Sequence, residues 1–149
     1  MIRRRRHYEF SLAEVLRDRD VLPRTGGAYI LEFNLVEAIA PDVRRVGVVP
    51  LAAGRYRYYG NAYQSGGPRA RIWRHLHPEG RTRWYMVDWV TELVIPSRVS
   101  IVVGGCECDL ANADLRSGWE IAFPEFGSTN CKRDCRAHLL IGRDGVDAC

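Results

Sequence analysis

Between Gly54 and His77 the chain gathers Arg55, Arg57, Arg69, Arg71 and Arg74 with Tyr56, Tyr58, Tyr59 and Tyr63, and adds His75 and His77. Guanidinium groups suit bidentate contact with phosphate. Histidine changes charge near neutral pH and so moves protons readily. Arg71 and His75 are four apart, so a helix places them on one face. From Arg55 to Arg83 there are seven arginines and one acid, a surplus of +6. From Glu107 to Glu125 there are five acids and one arginine, a surplus of −4. A basic face beside an acidic cluster is what metal-dependent cleavage of a phosphodiester needs. Two ordinary solvated faces would carry the same charges.

The elements that must hold these groups read as one small domain. Gly54–Gly60 is a tyrosine-rich strand, and Gly60–Gly67 is a turn of small residues. Pro68 stands at the first position of a helix running to about Leu76, where its missing N–H costs nothing. Ile72 and Leu76 would face a sheet. Before this unit, Ser11 and Glu14 make a capping box inside a helix expected over Tyr8–Arg19. Two glycines then open a strand, Ala28–Leu35, with strict alternation. Val43–Val49 reads as another strand. Trp84–Val94 is extended or mixed and contains Asp88, expected to anchor an arginine of the basic helix or to support a metal site from behind. Val99–Val103 is a strand, and Glu107–Arg116 is a helix with acids in its first turn, where the helix dipole favours them. The expected fold class is α/β (α+β), a small, mostly antiparallel central sheet flanked by helices. The expected boundaries are 1–25 for a basic arm and helix, 26–141 for the main domain and 142–149 for a tail.

Composition bounds the partners. The chain has 149 residues, 46% apolar and 27% charged, with a net charge of +4. That fits one compact soluble domain. Lys132 is the single lysine, so the basic groups are otherwise arginine. A GC-rich coding sequence explains much of that bias. No secretory leader is visible, and no apolar run approaches the ~18 residues of a membrane span. A cytoplasmic protein without a membrane partner is expected. Its five cysteines are then free thiols or metal ligands rather than a disulfide framework. Nothing in the sequence points to a protein partner.

In order along the chain, these residues resemble the GIY-YIG nuclease superfamily. Gly27-Ala28-Tyr29 and Tyr58-Tyr59-Gly60 are similar to its two strand signatures. Gly67-Pro68-Arg69-Ala70-Arg71 with His75 is similar to its arginine–histidine helix. Cys106-Glu107-Cys108-Asp109-Leu110-Ala111 is similar to the helix that carries its single metal-binding glutamate. Gly60-Asn61-Ala62, Trp84 with Asp88, and Phe126-Gly127-Ser128 leading to Cys131, Cys135 and His138-Leu139 resemble the Uri-type, GIY-YIG-like endonuclease branch. The resemblance spans roughly 26–140. Asn61 stands where a serine is usual, Pro68 where leucine is common, and Tyr85 where a histidine often follows the tryptophan.

The resemblance implies a catalytic set of Tyr29, Tyr58, Arg71, His75 and Glu107. Glu107 would hold one Mg²⁺ or Mn²⁺. Arg71 would stabilise charge on the phosphate. Tyr29, with Tyr58 beside it, would take or relay the proton of the attacking water, and a nearby cation must then offset a phenol pKa near 10. His75 would orient a tyrosine or touch the phosphate. Arg55, Arg57, Arg69 and Arg74 would contact nucleic acid. Each residue also has a plain structural role: sheet tyrosines, solvated arginines, a helix-end histidine, a helix-start acid. Cys131, Cys135 and His138, with Cys106 or Cys108, could form a structural zinc site, although Cys106 and Cys108 are too close for a usual ligand pair. Buried thiols would explain them as well. The expected function is metal-dependent endonuclease cleavage or nicking of DNA, with RNA also compatible. The rival is a non-catalytic nucleic-acid-binding module on the same fold.

Overall fold

The alternating segment forms the strand β2 (Gly27–Leu35), and the tyrosine-rich segment forms its antiparallel neighbour β5 (Gly54–Ala62). In the computed structural model, residues 6–80, 82–83, 85–124, 126 and 137–142 are described. Around the central pair, β6 (Arg98–Val103) lies beside β2, and β1 (His7–Ser11) lies beyond β6. On the other side β5 pairs with β8 (Leu139–Ile141), and β8 with β7 (Glu120–Ile121). The six strands run in the order β1-β6-β2-β5-β8-β7, antiparallel at every pairing. Among the described residues the helices are α1 (Leu12–Arg17), α2 (Gly67–Leu76), α3 (Val87–Thr91) and α4 (Glu107–Arg116). The fold is therefore the expected mixed α+β class.

Strand parity sorts the side chains into two layers. Tyr29, Leu31 and Phe33 face the same way as Tyr58 and Tyr56, and they share one core cluster with Ile72 and Leu76 of α2 and with Val87 and Val90 of α3. Phe33 and Tyr56 stack at 5.4 Å between ring centroids. Such a pair adds about 0.5–1.5 kcal/mol beyond area burial. Tyr59 faces the other way and packs with Ala111 of α4, Trp119 and Leu140. Ile72 and Leu76 are buried as the helix pattern required.

Two expected elements differ. The helix expected over Tyr8–Arg19 is a strand followed by a short helix. Tyr8 and Phe10 alternate, stack at 6.1 Å and pack against the main core, which is strand behaviour. The capping box at Ser11 and Glu14 is present and starts the helix only at Leu12. The strand expected over Val43–Val49 is instead two short strands, β3 (Asp42–Val43) and β4 (Gly47–Val48), folded back around Arg45 at φ 72°. The mixed segment after Trp84 contains α3. The expected arm, the second half of the Phe-Gly-Ser segment with Cys131 and Cys135, and the expected tail lie almost entirely outside the described residues. Among the described residues, no helix is long and apolar enough to cross a membrane.

Candidate active site

Tyr29 sits opposite Gly60 in the β2–β5 register. A Cβ at position 60 would fall onto the Tyr29 ring. Glycine at the end of the tyrosine strand therefore makes room for the phenol. Tyr58 lies one step along the same face, with its ring centroid 6.4 Å from that of Tyr29.

The helix α2 is set over this face by its N-terminus. Gly66 and Gly67 have φ of 89° and 57°, and a Cβ on Gly67 would strike the Arg24 carbonyl. Only glycine adopts such a sequence of angles readily. Arg69 ties the same turn down. Its Nε donates to the Leu22 carbonyl at 2.8 Å and a terminal nitrogen to the Asp20 carbonyl at 3.0 Å.

Seated in this way, α2 buries His75 against the tyrosines. The Tyr29 hydroxyl and His75 Nε2 are 2.9 Å apart. His75 thus lies in contact with a tyrosine. Behind it stands Asp88, 0% exposed, with Oδ1 3.8 Å from His75 Nδ1. Arg74 grips both Asp88 oxygens, at 2.8 and 2.7 Å, and the Tyr85 amide donates to Oδ2 at 3.0 Å. Asp88 therefore anchors an arginine of the basic helix. A buried carboxylate requires such partners.

Arg71 differs from its neighbours. Arg69 and Arg74 have acid partners, Asp20 at 3.5 Å and Asp88. Among the described residues Arg71 has no carboxylate partner. Its guanidinium lies 4.4 Å from the Tyr85 ring centre and lines a shallow cavity of about 220 Å³ with Gln64, Ala70, Arg74 and Tyr85.

The field at the tyrosines opposes ionisation. Burial raises the Tyr29 pKa well above its ordinary value, Tyr58 raises it further, and Arg71 only partly offsets the shift. Burial likewise raises Tyr58, with Arg71 pulling down and Asp88, Tyr85 and Glu107 pushing up. Both phenols therefore stay protonated at neutral pH. The expectation that a cation would lower a tyrosine pKa has the sign of Arg71 right, but burial outweighs it.

Glu107 opens α4, and its amide donates to Asn61 Oδ1 at 3.4 Å. The cap residue Cys106 makes no side-chain capping hydrogen bond. Asn61 of β5 thus supplies an acceptor that the helix start lacks. Glu107 Oε2 is buried without a hydrogen-bond partner. The Glu107 carboxylate acts on Tyr58 through space. An unpartnered buried carboxylate oxygen suits a divalent cation.

The four arginines expected to contact nucleic acid fall on both faces of the sheet. Arg55 and Arg57 lie on the α4 side, ion-paired with Glu32, and Arg57 also reaches Asp114 at 3.0 Å. Arg57 lies 4.3 Å from the Trp119 ring centre. Arg69 and Arg74 lie on α2. Each is engaged inside the protein. Of the zinc candidates, Cys131 and Cys135 lie outside the described residues. His138 Nε2 lies 3.6 Å from Cys108 Sγ. Cys108 is disulfide-bonded, whereas Cys106 is not. The expectation was of free thiols or metal ligands rather than a disulfide framework, and at Cys108 the structure has a disulfide instead.

Sequence reasoning missed the Arg57–Asp114–Tyr59 network and the Arg71–Tyr85 stack. Asp114 meets Arg57 across a separation of 57 residues. No local spacing announces such a contact.

Residues 28–148 match the profile of the family described as a domain of unknown function, DUF123. The chain belongs to that family. No curated protein and no solved structure matches it.

Proposed function

We propose that the protein is a metal-dependent endonuclease of GIY-YIG type, of the Uri-type branch, that cleaves or nicks DNA. The observation that carries this reading is the placement of Arg71. It is a cation with no acid partner among the described residues, beside a tyrosine whose hydroxyl meets a buried histidine.

The raised tyrosine pKa values exclude a standing phenolate as base. The Tyr29 oxygen instead accepts the proton of the attacking water as its own proton passes to His75 Nε2, 2.9 Å away. Asp88, 3.8 Å from Nδ1, stabilises the imidazolium that results. Arg71 neutralises charge building on the phosphate. Tyr29 is 0% exposed, so this chemistry requires the cover to open. Mg²⁺ or Mn²⁺ held through Glu107 would supply charge neutralisation at the phosphate and leaving oxygen.

The complete burial of Tyr29 favours a second reading, a non-catalytic nucleic-acid-binding module. A plasmid-nicking assay with Mg²⁺ or Mn²⁺ separates the two. The nuclease reading expects nicking by the wild type and background alone from Glu107→Gln. Equal background from both leaves the binding module. Salt-dependent DNA binding lost in Arg71→Ala and kept in Glu107→Gln would then support that module.

A further inference from the structure

We propose that Glu107, Cys108 and His138 form a redox-gated site for a thiophilic divalent cation such as Zn²⁺. The inference stands on geometry; it replaces Mg²⁺ or Mn²⁺ of the nuclease reading as the ion on the Glu107 carboxylate and leaves the tyrosines and Arg71 of that reading untouched. One ligand atom from each of the three side chains lies within 4.8 Å of the others. Cys108 Sγ and His138 Nε2 are 3.6 Å apart. Bond lengths of about 2.3 Å for Zn–S and about 2.0 Å for Zn–N at a tetrahedral angle place sulfur and nitrogen about 3.5 Å apart. The pair therefore already has the spacing of two ligands on one ion.

The surroundings favour occupancy. Cys108 is 2% and His138 4% exposed. Glu107 Oε2 is buried with no hydrogen-bond partner. The backbone holds both sides of the site. Glu107 and Cys108 occupy the first turn of α4. The His138 amide donates to the Phe126 carbonyl at 2.7 Å, and its carbonyl accepts from the Tyr59 amide at 2.9 Å. Thiolate and imidazole select Zn²⁺ or Co²⁺ over Mg²⁺. Among the described residues the site has three protein ligands.

The gate is the Cys108 disulfide. A sulfur in a disulfide is not a thiolate and ligates weakly. Exchange with a dithiol transfers two electrons and two protons to the protein disulfide, giving two thiols, while the dithiol leaves as its own disulfide. Cys108 then releases its proton to solvent as the cation binds.

The test is anaerobic Co²⁺ titration of the full chain, both oxidised and after reduction with a dithiol that is then removed. Reduced protein is expected to bind one equivalent with thiolate-to-cobalt charge-transfer absorption, displaced by Zn²⁺. Oxidised protein should lack the band. Cys108→Ser should abolish it and Cys106→Ser should keep it. Glu107→Gln should weaken binding by at least about 10-fold, because even groups that only hydrogen-bond a metal's ligands are worth about 10–100-fold. Circular dichroism checks the fold of each variant. If Cys108→Ser is unfolded, Glu107→Gln decides the outcome. No band in the reduced wild type overturns the proposal, as does a band that persists in folded Cys108→Ser, equal binding by oxidised protein, or unchanged affinity in Glu107→Gln.

Discussion

The Tyr29 ring occupies the space that a side chain on Gly60 would need, across the paired strands β2 and β5. A methyl at position 60 must therefore push the ring or spread the strands. Overpacking of this kind costs about 1–3 kcal/mol. Gly60→Ala should lower the urea midpoint accordingly. It should also break the Tyr29–His75 hydrogen bond, seen as a change in the His75 ring resonances by NMR. An unchanged midpoint with unchanged resonances would show that the ring has room to move.

Asp88 ties the helix α2 to the start of α3 through both Arg74 nitrogens. Its carboxylate is fully buried, so removing one partner takes the opposite charge from the other. Breaking a buried pair costs about 3–5 kcal/mol. Asp88→Ala and Arg74→Ala should each fall near that range in denaturant melts. The double variant should cost less than their sum, because neither charge then lacks its counter-charge. Strict additivity would mean the two do not act as a pair.

The central strands and the two long helices were legible because their signals are local. Alternation marked β2, glycines and Pro68 marked the start of α2, and first-turn acids marked α4. The N-terminal strand was missed because a sound capping box masked the short alternation of Tyr8 and Phe10 ahead of it. At the site, the spacing of Arg71 and His75 gave one face of a helix. It could not show that the same turn would bury His75 and leave Arg71 at the surface with an aromatic ring. That division depends on where α3 docks. The contacts of Asp114 and of Cys108 with His138 join distant segments, so no window of sequence contains both partners.

The buried phenols set an alkaline limit on stability. Tyr29, Tyr58 and Tyr59 all have raised pKa values, each chiefly through burial. Above about pH 10 the unfolded chain releases these protons and the native state retains them. Stability is therefore complete below pH 10 and falls as pH rises toward the native values. Each group contributes at most about 1.4 kcal/mol per pH unit. Phenolate absorbance should lag behind that of exposed tyrosine and rise together with loss of the circular dichroism signal. A smooth titration near pH 10 with the fold intact would contradict the burial argument.

If the Tyr29–His75 contact relays a proton, the two residues act as one unit. Tyr29→Phe and His75→Gln should each reduce nicking by about 10²–10⁴-fold, the usual weight of general acid–base catalysis. The double variant should be no slower than the worse single variant. DNA affinity should be kept in both, since both side chains are fully buried. Multiplying losses in the double variant would mean separate roles.

Arg71 and Arg57 carry the same charge yet should fail differently. Arg71 lines an open cavity and has no acid partner among the described residues. Arg57 is held by Asp114 and Glu32 beneath Trp119. On the nucleic-acid reading, Arg71→Ala should weaken DNA binding and lower the salt slope by about 1, the signature of one lost phosphate contact. Its folding stability should change little. Arg57→Ala should leave the slope intact and instead cost about 1–3 kcal/mol of stability, because the acceptors on Asp114 lose a charged donor. Arg71→Lys should recover part of the binding, since it keeps the charge and loses the forked donor. A salt slope that falls equally in Arg71→Ala and Arg57→Ala would place the binding surface on both faces of the sheet and dissolve the special status of Arg71.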